Sequence, residues 1–363
     1  MNQPKATYLF DGYFNVLSPF ATCSPALSEK SGKGANLIPT FRGPSGARMY
    51  IPGQGIRSKL RGALTHVAAK YQIERKGRQI SLEDAQYLRI GGVKQEGAEA
   101  SISPDVMSGM LETNPLISLF GASTPWVTGK LMCGHAIDVV NIGGGYGPML
   151  VDGVRADPVR RDPSLLTYLN DSAIDDMRAL AEKIKASSGA KREIKKLELA
   201  IKTAKDTKAK IEMKSKLEEM KKAAKEINTV STQMPLPGYN AIPPGARLEH
   251  KMRVLSATEM ELGAILVAID EFARQPVLGA HIAHGNGEIE ASWDVAVGGT
   301  GERLGSVSIN PYMGIVFSDP SGLLASAFNK FRSALESDGF NFQFDKDIIL
   351  AKENAEDKGD GNE

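Results

Sequence analysis

The stretch Thr7–Leu17, TYLFDGYFNVL, is dense in aromatic and aliphatic residues and stops at Ser18-Pro19. It predicts a buried strand, central in a sheet and closed by a turn. Ser24–Arg48 follows with several glycines and basic residues but little apolar periodicity, which predicts a surface loop. Ile51-Pro52-Gly53 then opens a helix whose apolar stripe is Ile56, Leu60, Ala63, Leu64, Val67, Ala68 and Tyr71. Arg57, Lys59 and Arg61 are expected on its solvent face. Capping signals at Ser81 with Asp84, at Ser103-Pro104 and at Asn114-Pro115 predict three more helices, the third ending at Gly121.

Lys130–Ile142 alternates as a strand and runs into the glycine cluster Gly143–Gly145, and Val151–Pro163 reads as an irregular basic projection broken by prolines and aspartates. Ser172–Asn228 is a separate Ala/Lys/Glu/Leu region read as two helices broken near Ser187-Ser188-Gly189. Arg247–Leu255 alternates charged with apolar residues, as a strand with one face open does. Ser256 with Glu259 suggests a capping box for a helix to about Arg274, Gly279–Gly287 is a turn, and Glu288–Val297 a strand. A last helix starts at Asp319-Pro320 and stops near Gly339. Without insertions the order is strand, helix, strands, helix, strand: an α+β fold of ferredoxin-like type, as in RNA-recognition palms, without their aromatic motif.

The bulk properties are those of an ordinary globular chain: 363 residues, 42% hydrophobic, 24% charged and net charge +1. The sum hides segregation, because basic residues outnumber acidic ones roughly two to one between Arg178 and Val230 while Glu353–Glu363 is acidic. Cys23 and Cys133 have no pairing or metal spacing, so neither a disulfide framework nor a zinc site is expected, and a reducing compartment fits. The polar start Met1–Lys5 and the lack of a membrane-length apolar run predict a cytoplasmic protein without a membrane partner.

Four segments in order, GYFNVLSPF (Gly12–Phe20), YIPGQGIRSKLRGAL (Tyr50–Leu64), IPPGARLEHKMRVL (Ile242–Leu255) and LGAHIAHGNGEI (Leu278–Ile289), together resemble the CRISPR-associated RAMP superfamily. The resemblance is to its Cas seven-like backbone subunits, most of all the type IV version, with LFGA at Leu119–Ala122 in support. It implies a hand-shaped subunit with a modified ferredoxin-like palm at 1–150 and 233–350, carrying a polar loop at 21–49 and a helical insertion at 72–129. A thumb-like basic projection falls at 151–171, a lysine-rich helical insertion at 172–232 and an acidic tail, expected to be disordered, at 351–363. The implied partners are guide RNA (crRNA), target DNA or RNA through guide pairing, copies of itself in a filament, and other effector subunits.

A subunit that accepts any guide grips phosphates and sugars and leaves base edges free. The start of the helix after Gly53 offers unpaired amides, with Gln54, Arg57, Ser58, Lys59 and Arg61 as side-chain candidates. On an amphipathic helix the same charges are also simply solvated. Arg155, Arg160 and Arg161 fall where the family has its thumb; His281 and His284 lie in a glycine-rich turn where imidazoles stack or bond to phosphate. Ser18, Arg42, Arg48, Lys130, Arg247 and Lys251 complete the candidates. In type III relatives an aspartate in the loop after the first strand cuts RNA; here that loop, Ala21–Met49, has only Glu29. No enzyme activity, metal or cofactor is therefore expected. The alternative is a guide-processing endonuclease of the same superfamily using His66, His281 or His284 as base.

Overall fold

Along β1 (Ala6–Val16), Tyr8, Phe10, Phe14 and Val16 are buried while Asp11 is exposed and Leu9, Tyr13 and Asn15 are half-buried. The strand is thus buried on one face and not both, as period-two pleating requires when only one side of the sheet is covered. The computed structural model describes residues 4–22, 38–44, 46–92, 104–123, 126–142, 147–155, 192–201, 213–221, 234–337 and 339–344, with 175, 178, 179, 182 and 189. Two compact units emerge, one made of Met1–Val151 with Tyr239–Glu363 and the other of Asp152–Gly238.

In the first unit, β1 is followed by the hairpin β2 (Thr40–Gly43) and β3 (Gly46–Ile51), where a loop was expected. Then come α1 (Gly53–Lys76), α2 (Leu82–Ile90), α3 (Pro104–Thr113) and α4 (Pro115–Phe120). Next is the small hairpin β4 (Ala122–Ser123) and β5 (Trp126–Val127), where Trp126 is 80% exposed. The strand expected over Lys130–Ile142 is two short ones, β6 (Leu131–Cys133) and β7 (Ala136–Asp138). β8 (Met149–Arg155) pairs with β9 (Met234–Ala241), so the predicted irregular projection begins as a regular strand. The chain continues through β10 (Arg247–Ala257), α5 (Glu259–Ala273), β11 (Ile289–Val297), β12 (Arg303–Asn310), β13 (Gly314–Ser318) and α6 (Leu323–Glu336). The sequence reading did not anticipate β12 and β13.

The main sheet runs β13-β12-β11-β1-β10-β7-β3-β2, with β6 also on β10, and every pairing is antiparallel. β1 sits centrally between β10 and β11. Helices α1, α5 and α6 form a layer whose apolar residues join those of the buried sheet face in one core, giving an α+β architecture. At Gly263 a Cβ would lie 2.1 Å from Ala327 O, so α5 and α6 touch backbone to backbone where only glycine fits. The capping box of α5 is Thr258 with Glu261, two residues beyond the expected pair, because β10 extends through Ala257. Glu259 instead bonds Ser326 and Lys330 on α6.

Across β1, Gly12 is in register with His250 on β10 and Trp293 on β11. Without a side chain at Gly12, the Trp293 indole reaches over the strand and donates to His250 Nδ1 at 3.0 Å. Phe14 packs edge-on against Trp293. Burial pulls the His250 imidazole down to about 4.

The second unit contains helical stretches at 192–201 and 213–221, joined by an ion pair between Glu198 and Lys221 at 2.8 Å. Gly189, placed by the sequence at a helix break, is helical. Among the described residues no helix is long and apolar enough to cross a membrane.

The His250 titration has a predictable sign. The imidazole is neutral when folded and has its ordinary value near 6.5 when unfolded, so the unfolded chain takes up the proton first. Stability is fully present above about pH 6.5 and falls, by about 3 kcal/mol from this group alone, as pH drops toward about 4. Urea unfolding at pH 7, 6 and 5 is expected to show this decline, and His250→Phe to show a lower but flatter profile.

Candidate nucleic-acid interface

The start of α1 is built on a backbone contact. A Cβ at Gly53 would meet Gly134 O at 2.3 Å and Cys133 O at 2.5 Å, so the helix begins flush against the segment between β6 and β7. From that segment His135 accepts the Gly53 amide on Nδ1 at 2.9 Å and packs on the Tyr50 ring, 4.8 Å between centroids. The Gly55 amide turns back to Pro52 O. The exposed Gln54 lies between them at the positive end of the helix. His135 escaped the sequence reading, because only the fold brings it to the helix start.

Arg57 and Arg61, expected on the solvent face, turn inward. Arg61 is 7% exposed and donates to Tyr87 O, Leu88 O, Phe120 O and Gly121 O at 2.6–3.2 Å. Arg57 is half-buried, donating to Phe120 O at 2.7 Å and Leu131 O at 3.3 Å. Arg57, Arg61 and the buried Thr65 form a stripe facing the ends of α2 and α4, whose last carbonyls lack helical partners. The two guanidiniums supply those partners and the matching charge. Burial, then Arg57, brings Arg61 down to about 10, so it stays charged at neutral pH.

The remaining candidates divide by what already holds them. Lys130 is 2.5 Å from the buried Glu261 carboxylate, which also accepts from Ser118. Burial alone would raise Glu261, but these bonds outweigh it and hold the carboxyl below its ordinary value. Ser18 Oγ accepts the Glu288 amide at 2.8 Å, fixing the turn after β1. Arg48 donates to Asn141, while Arg42 is exposed on β2. Ser58 is exposed, and its carbonyl and hydroxyl accept from Arg89. Arg247 lies 3.8 Å over the Tyr13 ring and Lys251 pairs with Asp11 at 2.8 Å, so both of these candidates have partners, while Arg253 is also exposed on the same face of β10. Asp294 pairs there with Arg303, and Asn15 with Glu290.

At the Gly279–Gly287 turn, His281 adopts a left-handed backbone with φ of 59° and stacks on Tyr239, centroids 4.1 Å apart and planes 10° from parallel. His284 stacks on His281 at 5.7 Å. His281 Nε2 is buried without a hydrogen-bond partner, and the Tyr239 hydroxyl accepts from buried Asn286. The Gly287 amide bonds Pro19 O and the Ala280 amide bonds Ala21 O, which brings the histidine turn and Ser18 together. His66, a possible base in the alternative reading, instead lies 2.6 Å from Glu271 on the helical layer. The Arg155 side chain, Arg160, Arg161, Glu29, most of the lysine-rich insertion and the acidic tail lie outside the described residues. Among the described residues no group of three or more His, Cys, Asp or Glu side chains could hold a metal ion.

No protein-family model matches the chain, and no curated protein matches it. Among solved structures, a chain titled "Type IV-B CRISPR Complex" matches with a TM-score of 0.38 and 13% identity, over 80% of this chain and 91% of that chain. A likeness at that score carries no inference about fold or function.

Removing Arg61 tests the structural role of its guanidinium. Arg61→Ala removes four charge-assisted bonds from buried carbonyls and is expected to cost about 3 kcal/mol. Of these carbonyls, Tyr87 O, Leu88 O and Phe120 O keep Gly91 N, Thr65 Oγ1 and Arg57 as donors, while Gly121 O loses its donor. Arg61→Lys restores the charge but not the planar fork and is expected to recover little of that loss. Urea midpoints of the two variants measure both effects.

Proposed function

We propose that this chain binds guide RNA as the repeating backbone subunit of a type IV CRISPR effector complex, and that it performs no chemistry itself. The observation that carries the reading is the start of α1. A glycine-led helix terminus is pinned from below by Gly134 and His135 and presents Gln54 outward, in one of the four segments that together resemble the Cas seven-like subunits. With Gly53 N held by His135 and Gly55 N and Ile56 N turned to Pro52 O, it is Gln54 that meets a phosphate in this reading, whatever base the phosphate carries.

Two further features support it. The order β11-β1-β10-β7, with α1 and α5 on one face, is the strand order of a ferredoxin-like palm. The column Tyr239–His281–His284 ends in an exposed imidazole beside the Ser18 turn, where a base or phosphate meets it. In this reading copies of the chain stack along the guide, other effector subunits complete the complex, and the guide's free base edges pair with target DNA or RNA.

Size-exclusion chromatography with the ratio of absorbance at 260 and 280 nm, before and after ribonuclease, tests it. The expected result is large RNA-loaded particles that shrink on digestion. Gln54→Glu, which places an acid at the helix terminus, is expected to lower bound RNA several-fold while leaving the melting temperature unchanged or raised. An RNA-free monomer in the presence of added guide sinks the proposal. Metal-independent cutting of repeat RNA would replace it with the endonuclease reading.

A further inference from the structure

On the helical layer, α1, the end of α2 and the end of α5 surround an open cleft of about 680 Å³. Its lining includes Lys59, Arg89, His66, Arg274, Glu271 and Tyr312. The single carboxylate among these six is occupied: Glu271 lies 2.6 Å from His66 Nδ1 and 3.3 Å from Arg274 Nε. Lys59 and Arg89 form no ion pair with a carboxylate among the described residues, so the cleft holds two adjacent uncompensated cations.

Their placement is built into the chain. Arg89 reaches from the last turn of α2 to α1, where Nη1 donates to Ser58 O and Oγ at 3.0 and 3.3 Å. Gly62 makes room for it, since a Cβ there would lie 3.1 Å from the guanidinium carbon. Lys59 is half-buried beside it, and burial together with Arg89 pulls the ammonium below its ordinary value. Tyr312 forms the rim. It is 60% exposed, with its backbone held at φ of 66° by a bond from its amide to Ala273 O. Its hydroxyl donates to Glu288, the residue whose amide bonds Ser18. Through Glu288 the rim of the cleft is thus tied to the Ser18 turn.

We infer that this cleft binds the phosphodiester backbone of a single-stranded nucleic acid, Lys59 and Arg89 meeting phosphate oxygens and the Tyr312 ring stacking on a base. The inference rests on the RNA-binding reading and deepens it by adding a second contact point along the strand. An acidic peptide would use the two cations but has no need of a fixed aromatic face next to them. A strand uses both, because every base has a π-face and every nucleotide a phosphate.

Full-length protein stripped of RNA and a labelled oligouridine of about 20 nucleotides, followed by fluorescence polarisation across a salt series, provide the test. Lys59→Gln with Arg89→Gln is expected to weaken binding roughly tenfold and to make the log–log salt slope shallower by about 1.4, two phosphates' worth on single strands. Tyr312→Leu is expected to weaken binding with no change in slope, and Tyr312→Phe to bind as the parent does. A double variant with parental affinity, slope and melting temperature overturns the cleft inference, and if Gln54→Glu still weakens binding the guide reading stands. Parental protein that binds no RNA at all overturns the guide reading itself. Inorganic phosphate or an oligoglutamate raising the melting temperature of the parent but not of the double variant, with RNA without effect, assigns the cleft to a different anion.

Discussion

The carbonyls of Tyr87, Leu88, Phe120 and Gly121 converge on one guanidinium, that of Arg61. Each helix end has carbonyls that the helix cannot satisfy, and two such ends buried side by side would be costly without a donor able to reach both. The planar fork of arginine does so from a third helix. Arg57 extends the arrangement one turn toward the start of α1, to Leu131 O at the edge of the sheet. The position of α1 relative to α2, α4 and β6 follows from these bonds, and with it the seating of Gly53 against Gly134.

Much of the scaffold was legible in local sequence. Period-two patterning marked β10, the 3.6-residue stripe marked α1, and Ser81 and Asn114 marked the starts of α2 and α4. Where the reading failed, the deciding partner was distant. Arg57 and Arg61 look like surface charges on a helical wheel, and the carbonyls that claim them arrive from as far as 74 residues away. Glu261, whose partner Lys130 is 131 residues distant, engages a third candidate. β12, RLGSVSIN, was missed because its outward positions are small serines and one of its residues is glycine, which lowers strand propensity. His281 and His284 were legible as a turn, but the stacking of His281 on Tyr239 depends on the return of β9.

Charge on the described surface is sorted by location. On the open sheet face Lys251, Arg247 and Arg303 are each matched by an acid or an aromatic ring in the neighbouring strand, which leaves Arg253 as the exposed cation of β10 without such a match among the described residues. On the helical layer Lys59 and Arg89 stand together with the nearby Glu271 already engaged. Net charge near zero conceals this difference, because affinity for a polyanion follows local, uncompensated cations and not their sum.

Gly12 also has an optical consequence. The chain has two tryptophans, and the missing side chain at that glycine lets one of them, Trp293, sit fully enclosed against an imidazole at the centre of the sheet. The other, Trp126, stands in solvent on a short hairpin. The native emission spectrum is therefore the sum of a short-wavelength component sealed from soluble quenchers and a long-wavelength component open to them. Iodide separates the two without any label, so the protein carries one built-in reporter for its core and another for its surface.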